Sequence, residues 1–234
     1  MCQFKSAIVT AKGDLLSSPW TDSHEDLVRI FKLNDKPSVR NEPRFARVEF
    51  RPDEMKDLDE PKKYQLHIDE ERTPSWFDAP MQLRIAERLR TQIATMIISG
   101  DVEILVGGEF ILTKGAKVAC VKTCRVLAML GDASIRNVGD SASIRNVGDS
   151  ASIRDVWGSA SIRDVWGSAS IRDVRGSASI RDVRGSASIR DVWGSASIQN
   201  VWGSASIRDV WGLASIRDVR DSVSVTNDTR IKKD

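Results

Sequence analysis

Cysteine, tyrosine and histidine are scarce in this 234-residue chain, which has three Cys, one Tyr and two His. Cys2, Cys120 and Cys124 are too few and too scattered for a disulfide framework, and Cys120 with Cys124 lacks the second pair that a zinc site requires. Two histidines without a third partner do not specify a metal, so no metal and no cofactor is expected. Long apolar runs are also missing. No stretch approaches the ~20 apolar residues that span a bilayer, and Lys5 and polar residues interrupt Ala7-Ile8-Val9 where a signal peptide would need a continuous apolar core. Nor is there a large excess of charge: residues 1–114 sum to −3 and residues 115–234 to +5, giving the +2 of the whole chain. That balance makes nucleic acid an unlikely partner and gives no sign of a membrane. These absences leave a soluble, cytoplasmic protein with free thiols as the expectation.

What the chain does have is a repeat. The nonapeptide Ser-Ala-Ser-Ile-Arg-Asp-Val-Trp-Gly becomes recognisable near Gly131, and Ile135 to Ile216 recur at one interval of nine, with Val225 in the next slot. Nine is not a multiple of 3.6, and each unit carries a Gly-Ser or Gly-Asp pair that would interrupt a helix. Ala and Ile, two apart, share one face of a strand, whereas Ile and Val, three apart, demand a corner or bulge between them. The residue at that corner is Asp or Asn throughout, from Asn137 to Asp218, and these side chains tolerate left-handed geometry. A second corner is expected at the glycines.

Two strand segments and two bends per nine residues predict a mainly β fold, a parallel β-solenoid; nine residues alone enclose too small a core, so about two repeats, roughly 18 residues, are expected per coil, with three per coil as the alternative. Ala116, Val118 and Val121, then Cys124, Val126 and Met129, keep the same spacing, so the solenoid is expected to span residues 115–226 and to be followed by a polar tail, residues 227–234. Residues 1–114 read as a small α+β domain that caps it. Strands are expected at Phe4–Thr10, Phe45–Phe50 and Tyr64–Ile68. One helix follows Ser23, and another, capped by Asp78, runs over Ala79–Ile98 with Leu83, Ala86, Leu89, Ile93 and Ile97 on one stripe. Residues 53–63 read as a charged loop, and Val102–Val106 with Phe110–Leu112 as a hairpin leading into the repeats.

Among candidate sites, the outer rows come first. The residues following Val include Trp157, Trp166, Arg175, Arg184, Trp193, Trp202 and Trp211, residue types that anchor interfaces and also stack on one another. Arg136 and its counterparts form further columns, interrupted at Gln199, whose charge the adjacent Asp residues can balance. Cys2 is the one enzymatic candidate, because loss of Met1 would expose a thiol beside an amine. His24, His67, Asp69 and Asn34 could supply further groups, although both histidines read as surface residues.

Met1-Cys2-Gln3-Phe4-Lys5-Ser6-Ala7-Ile8, Asp22-Ser23-His24-Glu25-Asp26 and the Gly-Ser-Ala-Ser-Ile-Arg-Asp-Val-Trp array together carry a resemblance. The chain resembles uncharacterised phage and bacterial proteins in which a short N-terminal module precedes nonapeptides of the Gly-Asn-Ala-Thr-Val-x-x-Val-Tyr type. That resemblance implies a phage-like origin and a β-solenoid, and it carries no catalytic residues across.

The sequence therefore supports two functional expectations. The first is a non-enzymatic binding or scaffold protein that presents a regular solenoid surface to a macromolecular partner, most simply a protein such as a host protein, with the C-terminal end of the solenoid free to pair with a second copy. The second is a hydrolase with Cys2 as its N-terminal nucleophile and the solenoid as scaffold.

Overall fold

The computed structural model describes residues 5–36, 38 and 42–228, and the chain divides between Met96 and Ile97 into two compact units. Phe4, Pro37, Cys2 and the tail beyond Asp228 lie outside the described residues.

In chain order the first unit contains β1 (Lys5–Thr10), β2 (Leu15–Leu16), α1 (His24–Ile30), β3 (Phe45–Pro52), β4 (Tyr64–Ile68) and α2 (Ala79–Met96). The four strands form an antiparallel sheet in the order β2-β1-β3-β4. Gly13, at φ 82°, turns β1 back into β2, a strand too short to announce itself by alternation. Ser23 caps α1 by accepting the Asp26 N–H at 3.2 Å, and Leu27 then packs with Ile8 and Phe45. Asp78 accepts the Met81 N–H at 3.0 Å at the head of α2. The charged stretch 53–63 holds two 3₁₀ turns, Met55–Asp57 and Pro61–Lys63, rather than a plain loop.

Helix α2 corrects one detail of the expected stripe. Its buried residues are Ile85, Ala86, Leu89, Ile93 and Met96, whereas Leu83 is 70% exposed. Four-residue steps from Ile85 define the buried line, and Leu83 stands two positions, about 200°, around the helix from it. The helix also stops at Met96, because Ile97 and Ile98 are the first strand of the second unit.

That unit is the β-solenoid. It begins with β5 (Ile97–Ile98), β6 (Asp101–Val106), β7 (Glu109–Leu112), β8 (Lys117–Lys122), β9 (Arg125–Met129), β10 (Ser134–Gly139) and β11 (Ser143–Val147), and continues through one strand per nonapeptide from β12 (Ser152–Val156) to β19 (Ser215–Val219) and β20 (Ser224–Asp228). Even-numbered strands make one eight-stranded sheet and odd-numbered strands another, every pairing parallel. Ser134 pairs with Ser152, Ile135 with Ile153 and Val138 with Val156, so a coil is two nonapeptides and every inner Ile lies on an Ile. Ala, Ile and Val of both sheets fill one continuous core that runs from Leu105 to Ala214. Burying such side chains contributes on the order of 1.5–3 kcal/mol for each Val or Ile relative to exposure.

The coiling starts one coil earlier than Gly115, and no hairpin precedes it. Strands β6 and β7, expected to pair with each other, instead pair in parallel with β8 and β9. Gly107 and Gly108 both have positive φ and turn the chain from one sheet to the other.

The corners also differ from expectation. No strand Asp or Asn from Asn137 to Asp218 has positive φ. The chain stays extended from Ser to Val in each unit, the ladders pair Ser, Ile, Asp and Val, and Arg and Asp both lie outward between two buried residues. Left-handed geometry falls only at the turn between strands. There Gly158 and its counterparts have φ near 70°, and Asp140, Asp149 and Asp221 take the same place with φ between 53° and 60°.

Because Asp already occupies this place three times, Gly176→Asn is expected to be tolerated. Gly176→Val, whose β-branched side chain strains at positive φ, is expected to lose about 1–2 kcal/mol more in urea unfolding. Equal losses would contradict this account of the turn.

Candidate binding surface

The parallel register converts each outward residue type into a column. Arg136, Arg154, Arg172, Arg190 and Arg208 run along the even-numbered sheet, and Arg145, Arg163, Arg181, Gln199 and Arg217 along the odd-numbered one. Beside each serine row a groove follows the arginines, about 940 Å³ on the first sheet and about 460 Å³ on the second. The guanidinium groups from Arg154 to Arg208 already have partners. Nε of Arg154, Arg163, Arg172, Arg181 and Arg190 lies 3.3–3.5 Å from the carboxylate of the next residue, and that of Arg208 lies 2.9 Å from Asp209. These half-exposed pairs contribute ~0–1 kcal/mol each to stability, but they balance the charge along the column.

The aspartates form columns of their own. Asp155, Asp173, Asp191 and Asp209 stack between Asn137 and Asn227. Burial, then hydrogen bonding to the Asp191 and Asp155 carboxyls, raises the pKa of Asp173 above the ordinary carboxylate value. Burial likewise raises that of Asp164 in the other column, where Asp182 adds to the effect. Asp209 moves the opposite way, because Asn227 donates to it at 2.6 Å and Arg208 at 2.9 Å. An amide beside a carboxylate therefore does what another carboxylate cannot. Asn200, donating to Asp182 at 2.7 Å, is another instance.

The seven Trp and Arg candidates do not form one surface. Backbone bonds that extend the ladders place Trp157, Arg175, Trp193 and Trp211 in one column, and Trp166, Arg184 and Trp202, followed by Arg220, in another. The like pairs visible in the sequence are split, one member to each column. Gly139 and Gly148 precede the first tryptophans because a β-carbon there would collide with the indole of Trp157 or Trp166. In the first column the Arg175 guanidinium lies 5.6 Å from the Trp193 ring centroid, and its buried Nε has no hydrogen-bond partner, so the indole face is what receives it. Trp157, Trp166 and Trp202 are half-buried, but Trp193 and Trp211 are 40% and 51% exposed.

The polar candidates of the first unit separate. His67 is exposed, as expected, and so is Asn34. His24 is not a surface residue, because its ring is 2% exposed, with Nδ1 3.0 Å from Asp69 Oδ2 and Nε2 3.1 Å from the Val48 carbonyl. It starts α1 and ties that helix to β3, a long-range role that its acidic sequence neighbours concealed. Cys2 lies outside the described residues. Cys120 and Cys124 are free thiols, and burial pushes the Cys124 thiol up to about 11. Among the described residues, no three His, Cys, Asp or Glu side chains come together to hold a metal ion, and no helix is long and apolar enough to cross a membrane.

No protein-family model, curated protein or solved structure matches the chain.

The Asp173 environment sets a pH dependence. A carboxyl whose folded-state pKa is raised adds stability below its unfolded pKa, and that stability is lost as pH rises through the folded value. Ionised Asp173 therefore weakens the fold at neutral pH, and its half-exposed pair with Arg172 is too weak to offset this. Asp173→Asn is expected to raise the melting temperature by a few degrees at neutral pH, with the gain vanishing near about pH 3. A lowered melting temperature at neutral pH would show that the Arg172 pair dominates.

Proposed function

We propose that this chain is a non-enzymatic binding or scaffold protein whose solenoid presents a regular column of side chains to a macromolecular partner, most simply a protein. The observation that carries this reading is the exposure of Trp193 and Trp211 on consecutive coils of a rigid ladder. Two large indoles held partly in water cost solvation without completing the core, and tryptophan is among the residues that most often anchor interfaces. A solenoid suits the task because its spacing is set by backbone pairing rather than by the surface residues, so the outer rows are free to vary. The resemblance to phage and bacterial nonapeptide proteins supports a phage-related, cytoplasmic setting with a host protein as the partner. The scarcity of cysteine is consistent with that compartment.

The last coil supports pairing with a second copy. Its Ile216 and Val225 are only partly buried where their inner counterparts are fully covered, and Val219 is 48% exposed. Parallel ladders that end on partly covered apolar residues are templates for further pairing.

Trp157, Trp193 and Trp211 share one column, so replacing all three by Ser is expected to abolish capture of a partner from host lysate while the β-type circular dichroism persists. Unchanged capture would overturn the reading. For self-pairing, light scattering at tens of micromolar is expected to give twice the chain mass, and a monomeric mass would refute it.

A further inference from the structure

The two outer columns differ at one place. In the column Trp166, Arg184, Trp202, Arg220, each tryptophan is followed one coil later by an arginine. In the column Trp157, Arg175, Trp193, Trp211 the alternation fails at its last step, and Trp193 is followed by Trp211. Where arginine follows, as at Trp202, the indole is half-buried; at Trp193 and Trp211 it is exposed. These two indoles line a cleft of about 490 Å³ together with Gly194, Gly212, Asp173 and Asp191. The chain itself demonstrates what such a surface accepts, since Arg175 lays its guanidinium on Trp193 at 5.6 Å.

We infer that the Trp193–Trp211 cleft binds the guanidinium of an arginine side chain supplied by a protein partner. This names the partner chemistry of the proposed binding surface and rests on that reading. Guanidinium fits better than ammonium because it is planar, weakly hydrated and able to stack on an indole while its edge N–H groups reach carboxylates. Asp173 and Asp191 supply the negative charge. Each carboxylate has about four acceptor directions, so Asp173, which meets Arg172 and the neighbouring carboxyls, and Asp191, which meets Arg190 and Arg208, keep capacity for an incoming donor. The neighbouring Ser and Arg grooves carry cations and would repel such a side chain.

The test uses the full chain and three capped peptides that differ only in the central residue, arginine, lysine or citrulline, the last being an uncharged isostere of arginine. Indole N–H resonances are followed by NMR during each titration. The arginine peptide is expected to shift the Trp193 and Trp211 signals, to bind at least about fivefold tighter than the citrulline peptide, and to outbind the lysine peptide. Trp211→Ser is expected to weaken it about tenfold, the scale of a partly desolvated cation–π contact. Asp173→Asn, which stabilises the fold by the argument above, is expected to weaken it as well, so a loss of binding in that variant is not a loss of folding. Equal binding of the citrulline or lysine peptide, shifts confined to other tryptophans, or an affinity unchanged by Trp211→Ser would overturn the assignment. If lysate capture requires the tryptophan column yet ignores excess arginine peptide, the surface reading stands and the guanidinium assignment falls. If capture survives the tryptophan replacements, it is the surface reading that fails.

Discussion

Everything in the second unit depends on parallel, in-register stacking of strands that recur every 18 residues. The inner face is the simplest consequence. Among the nonapeptide coils Ala lies on Ala, Ile on Ile and Val on Val, which gives a core of constant cross-section in which successive coils meet the same neighbours. The price falls on the outer face, because the same register that aligns methyl groups also aligns charges. From Arg154 onward each arginine of these columns is therefore set beside an aspartate of its own strand, and each aspartate column includes asparagines.

Asparagine and glycine take on meaning from their place in a column. Asn227 lowers the pKa of the carboxyl it caps, whereas Asp173, between two other aspartates, has its pKa raised. Gly139 is not a turn residue. It sits at the end of a strand because the next coil places the Trp157 indole over it, and Asp140 takes over the left-handed turn. Trp157, Arg175, Trp193 and Trp211 are likewise related by stacking rather than by sequence neighbourhood. What distinguishes the exposed pair is the arginine missing after Trp193.

Much of this was legible in the sequence. The interval of nine, the spacing of Ala, Ile and Val, and the extension back through Ala116 and Cys124 all follow from residue types alone, and the ladders agree with them. The first coils were not legible because their length differs. Ile97 pairs with Ile111, Asp101 with Lys117 and Lys117 with Ser134, and the constant interval of 18 appears only from Arg125 with Ser143 onward. A varying interval leaves no period, so these strands resembled a hairpin. The left-handed corner expected between Ile and Val is absent, and the strand runs extended through it, since aspartate's tolerance of positive φ is a permission and not a requirement. The burial of His24 depends on Asp69 and the Val48 carbonyl, distant in sequence, and no local pattern announces it. Which tryptophans share a column depended on the coil being two units long rather than three.

The most direct measurement of that coil length is disulfide formation between paired serines in a chain whose native cysteines are replaced by serine. Neighbouring parallel strands are about 4.8 Å apart, within the span a disulfide bridges. Ser152→Cys with Ser170→Cys, joined across one ladder, is expected to form an intramolecular disulfide under mild oxidation, while Ser152→Cys with Ser161→Cys, on opposite sheets, is not. Bridging of the second pair, or of Ser152→Cys with Ser179→Cys in preference to the first, would contradict the two-repeat coil and every column drawn from it.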